Sequence, residues 1–131
     1  MKKITFADLI KADLKWSRMA LNGTDETDIF IAAYHCQQAV EKTCGYIAQR
    51  IGIKSIRTHD IAKWADYLKN NSIDVPTAIA NNADEISEWE SKSRYNINFY
   101  AMRHLISQIA DETEKWLSTS EAIAVRKKIN I

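Results

Sequence analysis

The sequence predicts an all-α protein, an antiparallel (up-and-down) bundle of about five helices. Three observations predict it. Glycine and proline are scarce, 3 and 1 in 131 residues, which favours long helices joined by few tight turns. Hydrophobic residues make up 46% of the chain, enough for a single domain of this length to build a core without disulfides or metals. The apolar residues also recur at alternating spacings of three and four, the helical period, most clearly between Asp28 and Arg50.

The first helix is expected from about Thr5 to Leu21. Thr5 can cap it, and Asp8 stands where a capping-box acid belongs. Phe6, Ile10, Leu14, Ser17 and Leu21 form its inward stripe, with Asp13 and Trp16 near that stripe. Asn22-Gly23-Thr24 ends it, Gly23 suiting a left-handed terminating conformation. Polar and acidic residues 24–27 then lead into the second helix, residues 28–50, and favour its positive end. Phe30, Ala33, Gln37, Val40, Cys44, Ile47 and Ile51 make one stripe of that helix, and Ile29, Ala32, Cys36, Ala39, Thr43 and Tyr46 a second. A helix apolar over so much of its circumference belongs in the middle of the bundle, as its longest and most buried element. Gln37 lies on the apolar stripe and needs hydrogen-bond partners there. Lys42 is expected opposite, as a solvated charge, and Gly45 lets another backbone come close.

Residues 51–57 have little periodicity and read as a connection. Thr58 is expected to cap the third helix, with Asp60 in its first turn; Ile61, Ala65 and Leu68 face inward beside Trp64. Asp74-Val75-Pro76 opens the fourth helix, whose stripe is Ile79, Ala83 and Ile86 beside Trp89. A polar turn at 91–98 holds Arg94 and Tyr95. The fifth helix is expected from about Phe99 to Leu117, with Met102, Leu105, Ile109, Thr113 and Trp116 in one row and Ile106, Ala110 and Leu117 in another. Residues 1–120 then form the helical domain. Residues 121–131, with the basic run Arg126-Lys127-Lys128, form a tail or a short extra helix. The four tryptophans, one on each helix except the second, serve the core or a dimer surface.

Net charge is +1, 18 basic against 17 acidic residues, so nucleic acid would have to be held by a local patch and not by a global field. Cys36 and Cys44, eight residues apart on one helix, are about 12 Å apart at about 1.5 Å per residue. That is too far for a disulfide between them, so free thiols in a reducing cytoplasm are expected. No signal-peptide run or membrane-length apolar stretch occurs. No His, Cys or acidic cluster has zinc-site spacing, and nothing calls for a metal or another cofactor.

The run Cys36-Gln37-Gln38-Ala39-Val40-Glu41-Lys42 resembles the second-helix signature of HEPN domains, small helical domains named for higher eukaryotes and prokaryotes nucleotide binding. Thr58-His59-Asp60-Ile61 and Ser93-Arg94-Tyr95 fit the same family at fitting distances, and the likeness covers roughly residues 4–120. Many HEPN domains are metal-independent RNases carrying an Arg, four to six residues, then a His, paired across a dimer. In them the His can act as general acid or base on a 2′-hydroxyl while the Arg stabilises phosphorane charge. Here the positions after Arg94 hold Phe99, Tyr100 or Ala101, and His104 is too far along. The resemblance therefore points away from catalysis, Arg94 being the weak candidate for it.

What it implies is an accessory protein that binds a nucleotide or RNA, or acts beside a minimal nucleotidyltransferase in a toxin–antitoxin-like pair. The alternatives are a dimeric interaction module with a degenerate nucleotide site and, third, an RNase with a rearranged site. The binding candidates are Arg94, Tyr95, His59, Asp60, Gln37, Gln38 and Glu41, and the expected assembly is a homodimer.

Overall fold

The computed structural model describes residues 3–89 and 99–129 of the chain. Among these, every regular element is a helix: α1 (Phe6–Leu21), α2 (Glu26–Ile51), α3 (Ile61–Asn70), α4 (Thr77–Asn81), α5 (Ala83–Glu88) and α6 (Phe99–Ile129). They pack side by side as a bundle. α1 starts where its cap predicts: Thr5 Oγ1 accepts from Asp8 N–H, and Asp8 Oδ2 accepts from Thr5 N–H. Asp25 and Asp28 make a second such box at the head of α2. Each box satisfies two of the N–H groups that a helix start leaves unpaired.

The short turn after Leu21 sets α1 antiparallel to α2. Phe6 lies beside Tyr46, ring centroids 6.3 Å apart, and the buried Ser17 hydroxyl donates to the Ala32 carbonyl at 2.7 Å. α6 runs alongside α2 in the same sense, Cys36 meeting the Ile106 carbonyl and Ile47 sharing a pocket wall with Trp116. Arg18 on α1 pairs with Asp111 and Glu114 on α6 at 3.0 and 2.7 Å. Both apolar stripes of α2 are covered, with Ala32, Cys36, Ala39 and Val40 fully or almost fully buried. Ile10 and Leu14, Ile61 and Leu68, Ile79, Ile86, Ile106 and Ile109 complete one core around it. Trp64, Trp89 and Trp116 are buried, whereas Trp16 is 50% exposed.

Several expectations change. The longest helix is α6, with 31 residues against 26 in α2, because no Gly or Pro follows Leu117 to stop it. The expected fourth helix is two short ones, parted at Asn82 (φ −116°), whose side-chain amide donates to the Ala78 carbonyl at 2.7 Å. Pro76 stands at the N-cap of α4 and not in its first turn. The N-cap of α3 is Asp60, whose carboxylate accepts from Ala62 and Lys63 N–H, while Thr58 accepts from Asp60 N–H. Gly23 is not left-handed: among the described residues only Gly52 and Ser72 have positive φ. Its missing side chain makes room instead, since a Cβ there would lie 1.9 Å from Asp28 Oδ2.

Candidate functional site

α2 is buried on most sides and keeps one polar strip. Gln37, at its buried edge, is fully enclosed. Its amide donates to Glu41 Oε1 at 3.3 Å, and its carbonyl oxygen accepts from Gln38 Nε2 at 2.7 Å. Glu41 Oε1 also pairs with His59 Nδ1 at 2.7 Å. Gln38, Gln37, Glu41 and His59 thus form one hydrogen-bonded chain from α2 to the residue just before the N-cap of α3. The segment carrying His59 is held firmly. Trp64 Nε1 donates to the Thr58 carbonyl at 3.1 Å, and Ile61 N–H donates to Ser87 Oγ at 2.8 Å. The Glu41 side chain is 19% exposed and that of His59 is 71% exposed, so the chain begins in the core and ends in water. Asp60 serves as the cap.

A second cluster lies on the α1–α2 seam. The buried Asp13 receives Lys42 Nζ at 2.6 Å on one carboxylate oxygen and meets His35 Nδ1 at 3.0 Å on the other. Lys42 is therefore not the solvated charge expected from the sequence. Its ammonium reaches across the seam because Asp13, near the inward stripe of α1, needs a counter-charge once enclosed. The Tyr34 and His35 rings meet edge to face with centroids 5.3 Å apart.

Between these clusters opens a cleft of about 410 Å³, walled by Phe6, Glu41, Lys42 and Gly45 on one side and by Ser55, Arg57, His59 and Trp64 on the other. Its charges are unevenly matched. Lys42 is committed to Asp13 and Glu41 to His59. Arg57 is exposed and has no carboxylate within ion-pair distance among the described residues. A guanidinium offers planar, paired donors of the kind that suit phosphate or carboxylate. Burial pushes the Cys36 and Cys44 thiols well above their ordinary range, which removes them as nucleophiles. No group of His, Cys, Asp and Glu that could hold a metal occurs among the described residues, nor does any helix there have the length and apolarity to cross a membrane.

Of the residues singled out by sequence, the structure brings Gln37, Gln38, Glu41 and His59 together, with Asp60 next to them. Arg94 and Tyr95 lie outside the described residues. Sequence reasoning missed Asp13, His35, Lys42 and Arg57 as members of this region. Arg57 carried one legible signal, a cation in an aperiodic connection immediately before Thr58-His59-Asp60, where function concentrates. Compared with known families, the chain matches the HEPN domain model over residues 11–129. No curated protein and no solved structure gives a match.

Proposed function

Because the chain belongs to the HEPN domain family, we propose that it is an accessory protein that holds a phosphate-bearing ligand, a nucleotide or an RNA, in the α2 cleft without cleaving it. The observation that carries this is Arg57, a cation on the cleft wall with no protein carboxylate to neutralise it among the described residues. A phosphate oxygen pair fits that guanidinium, and His59, held through Nδ1 by Glu41, stands beside it on the cleft wall. Arg94 is the second phosphate contact we assign, on its resemblance to the family's Arg-Tyr segment. The missing His after Arg94 supports binding without cleavage, since the tyrosine that stands among the positions after it offers only a phenol, a group that is ordinarily a poor proton carrier at neutrality. In this reading a minimal nucleotidyltransferase is the protein partner, by the same resemblance.

Titration with ATP and with a short labelled RNA tests the proposal on wild type and Arg94→Ala. The variant should bind more weakly by about 1.5–3 kcal/mol, the range for a hydrogen bond to a charged group, with little change in melting. Unchanged affinity with lowered melting would make Arg94 structural. RNA incubated without metal should stay intact, and cleavage that disappears in Arg94→Ala would overturn the non-catalytic reading.

A second reading, a dimeric interaction module, is favoured by one feature. Among the described residues, the exposed large hydrophobics are Ile4, Phe6, Leu9, Trp16, Met19, Ile31 and Tyr34, all on α1, its approach and the opening turns of α2. Concentrated apolar exposure of this kind marks an interaction surface, and two-fold pairing is the commonest assembly of small proteins. Sedimentation should give twice the 15.0 kDa chain mass, and a clean species of single-chain mass would refute the dimer.

A further inference from the structure

A second pocket lies at the C-terminal end of α2, between the turn after α3 and the middle of α6, with a volume of about 410 Å³. Its floor is apolar, formed by Ile47, Ile51, Ile73 and Trp116. Two charges of opposite sign, Arg50 and Asp74, stand among its lining residues, and neither has an ion-pair partner among the described residues. Arg50 instead rests over the Tyr46 ring, 5.6 Å from its centroid. The same lining includes Ser72, a non-glycine residue at φ 65°. Its N–H donates to the Lys69 carbonyl at 3.0 Å, and Ile73 N–H donates to the Leu68 carbonyl at 2.9 Å. That pairing is a helix terminus at which glycine is the cheaper residue. A serine there adds a hydroxyl to the rim at some cost in strain.

We infer that this pocket binds a small zwitterion with an apolar body, of the type of a free branched or aromatic amino acid. Its carboxylate would meet Arg50, its ammonium Asp74, and its side chain the isoleucine floor. The volume is within the range of small-molecule sites. Charge decides against a nucleotide here. The lining offers one cation and one anion, whereas a phosphate monoester carries about two negative charges at neutral pH and would face Asp74 with its excess. Trp116 is only 7% exposed, which leaves too little ring surface for stacking a base. The inference is independent of the phosphate binding proposed for the α2 cleft.

Calorimetric titration of the full chain with L-leucine, L-phenylalanine and L-tryptophan tests it, with N-acetyl-leucine, leucinamide and AMP as comparators. Binding of at least one free amino acid at millimolar concentration is expected. Blocking either end should weaken it by roughly tenfold or more, the loss of one charged hydrogen-bond partner. Asp74→Asn should remove the penalty for N-acetylation, and Arg50→Gln the penalty for amidation. Both substitutions are on exposed side chains, and circular dichroism checks that the helices persist. Absence of binding by all three amino acids, binding indifferent to both substitutions, or a preference for AMP lost in Arg50→Gln would each overturn the inference.

Discussion

Removing the Asp13 carboxylate should destabilise the fold more than any single change at an ordinary surface ion pair. The Asp13 side chain is 11% exposed, and it serves Lys42 (31% exposed) at 2.6 Å and His35 (27% exposed) at 3.0 Å. Deleting one partner of a fully buried pair costs about 3–5 kcal/mol, because the other charge is left without compensation. Here water reaches nearly a third of Lys42, so part of that cost is recovered, and about 2–3 kcal/mol is the expected loss for Asp13→Ala. At this chain length that lowers the melting temperature by about 8–10 °C. Guanidinium denaturation at one fixed protein concentration measures it, with the concentration held because association alters apparent stability. Asp13→Leu combined with Lys42→Met should recover most of the loss, since a well-packed apolar pair can replace a buried ionic one. A loss below about 1 kcal/mol, the range of exposed pairs, would refute the claim that this seam is closed by a buried charge cluster.

Gly45→Ala should stabilise the protein by up to about 1 kcal/mol in thermal or denaturant unfolding, because among the described residues a Cβ there meets only a Phe6 ring carbon, at 3.9 Å, and alanine is the better helix former. Gly23→Ala should do the reverse, costing about 1 kcal/mol or more through loss of the α2 capping box, since its Cβ would collide with Asp28. Cys36 and Cys44 are fully buried, and burial holds both thiols protonated well above their ordinary value of 9.0. Unfolding exposes groups that lose their protons near pH 9, so their contribution to stability is complete below that pH. Above it, stability falls by up to about 1.4 kcal/mol per pH unit for each thiol. Cys36→Ala and Cys44→Ala should each flatten that alkaline slope, and a slope unchanged in both would show the thiols accessible in the folded state.

The bundle was legible because helical burial is a one-dimensional pattern. Both stripes read on α2 are the buried ones, and the Thr5 and Asp8 cap is where its spacing places it. What was not legible depends on neighbours distant in the chain. Nothing local distinguishes Lys42 from a solvated lysine; only the approach of Asp13, from another helix, makes it a counter-ion. Gly23 looked like a backbone requirement and is a requirement for space, visible only once Asp28 is in place. The end of α6 could not be read from periodicity, which fades after Leu117 although nothing in the sequence forbids the helix. Gln37, Gln38, Glu41 and His59 were each chosen by motif, and the motif says which residues matter without saying that they join into a single chain. Arg57 belongs to no motif or periodic stripe, and only the cleft it faces brings it into the site.

Fluorescence anisotropy of a short 5′-labelled single-stranded RNA, titrated with wild type and with Arg57→Ala over a series of salt concentrations, tests the phosphate-binding cleft most directly. Wild type should bind with an affinity that falls as salt rises. Arg57→Ala should bind roughly tenfold or more weakly at low salt, with its log–log salt slope shallower by about 0.7, the value for one phosphate contact on a single strand. Its melting temperature should not move, because the Arg57 side chain is exposed and unpaired among the described residues. Superimposable curves for the two proteins, or no binding by wild type at low salt to this RNA or to ATP, would contradict the account.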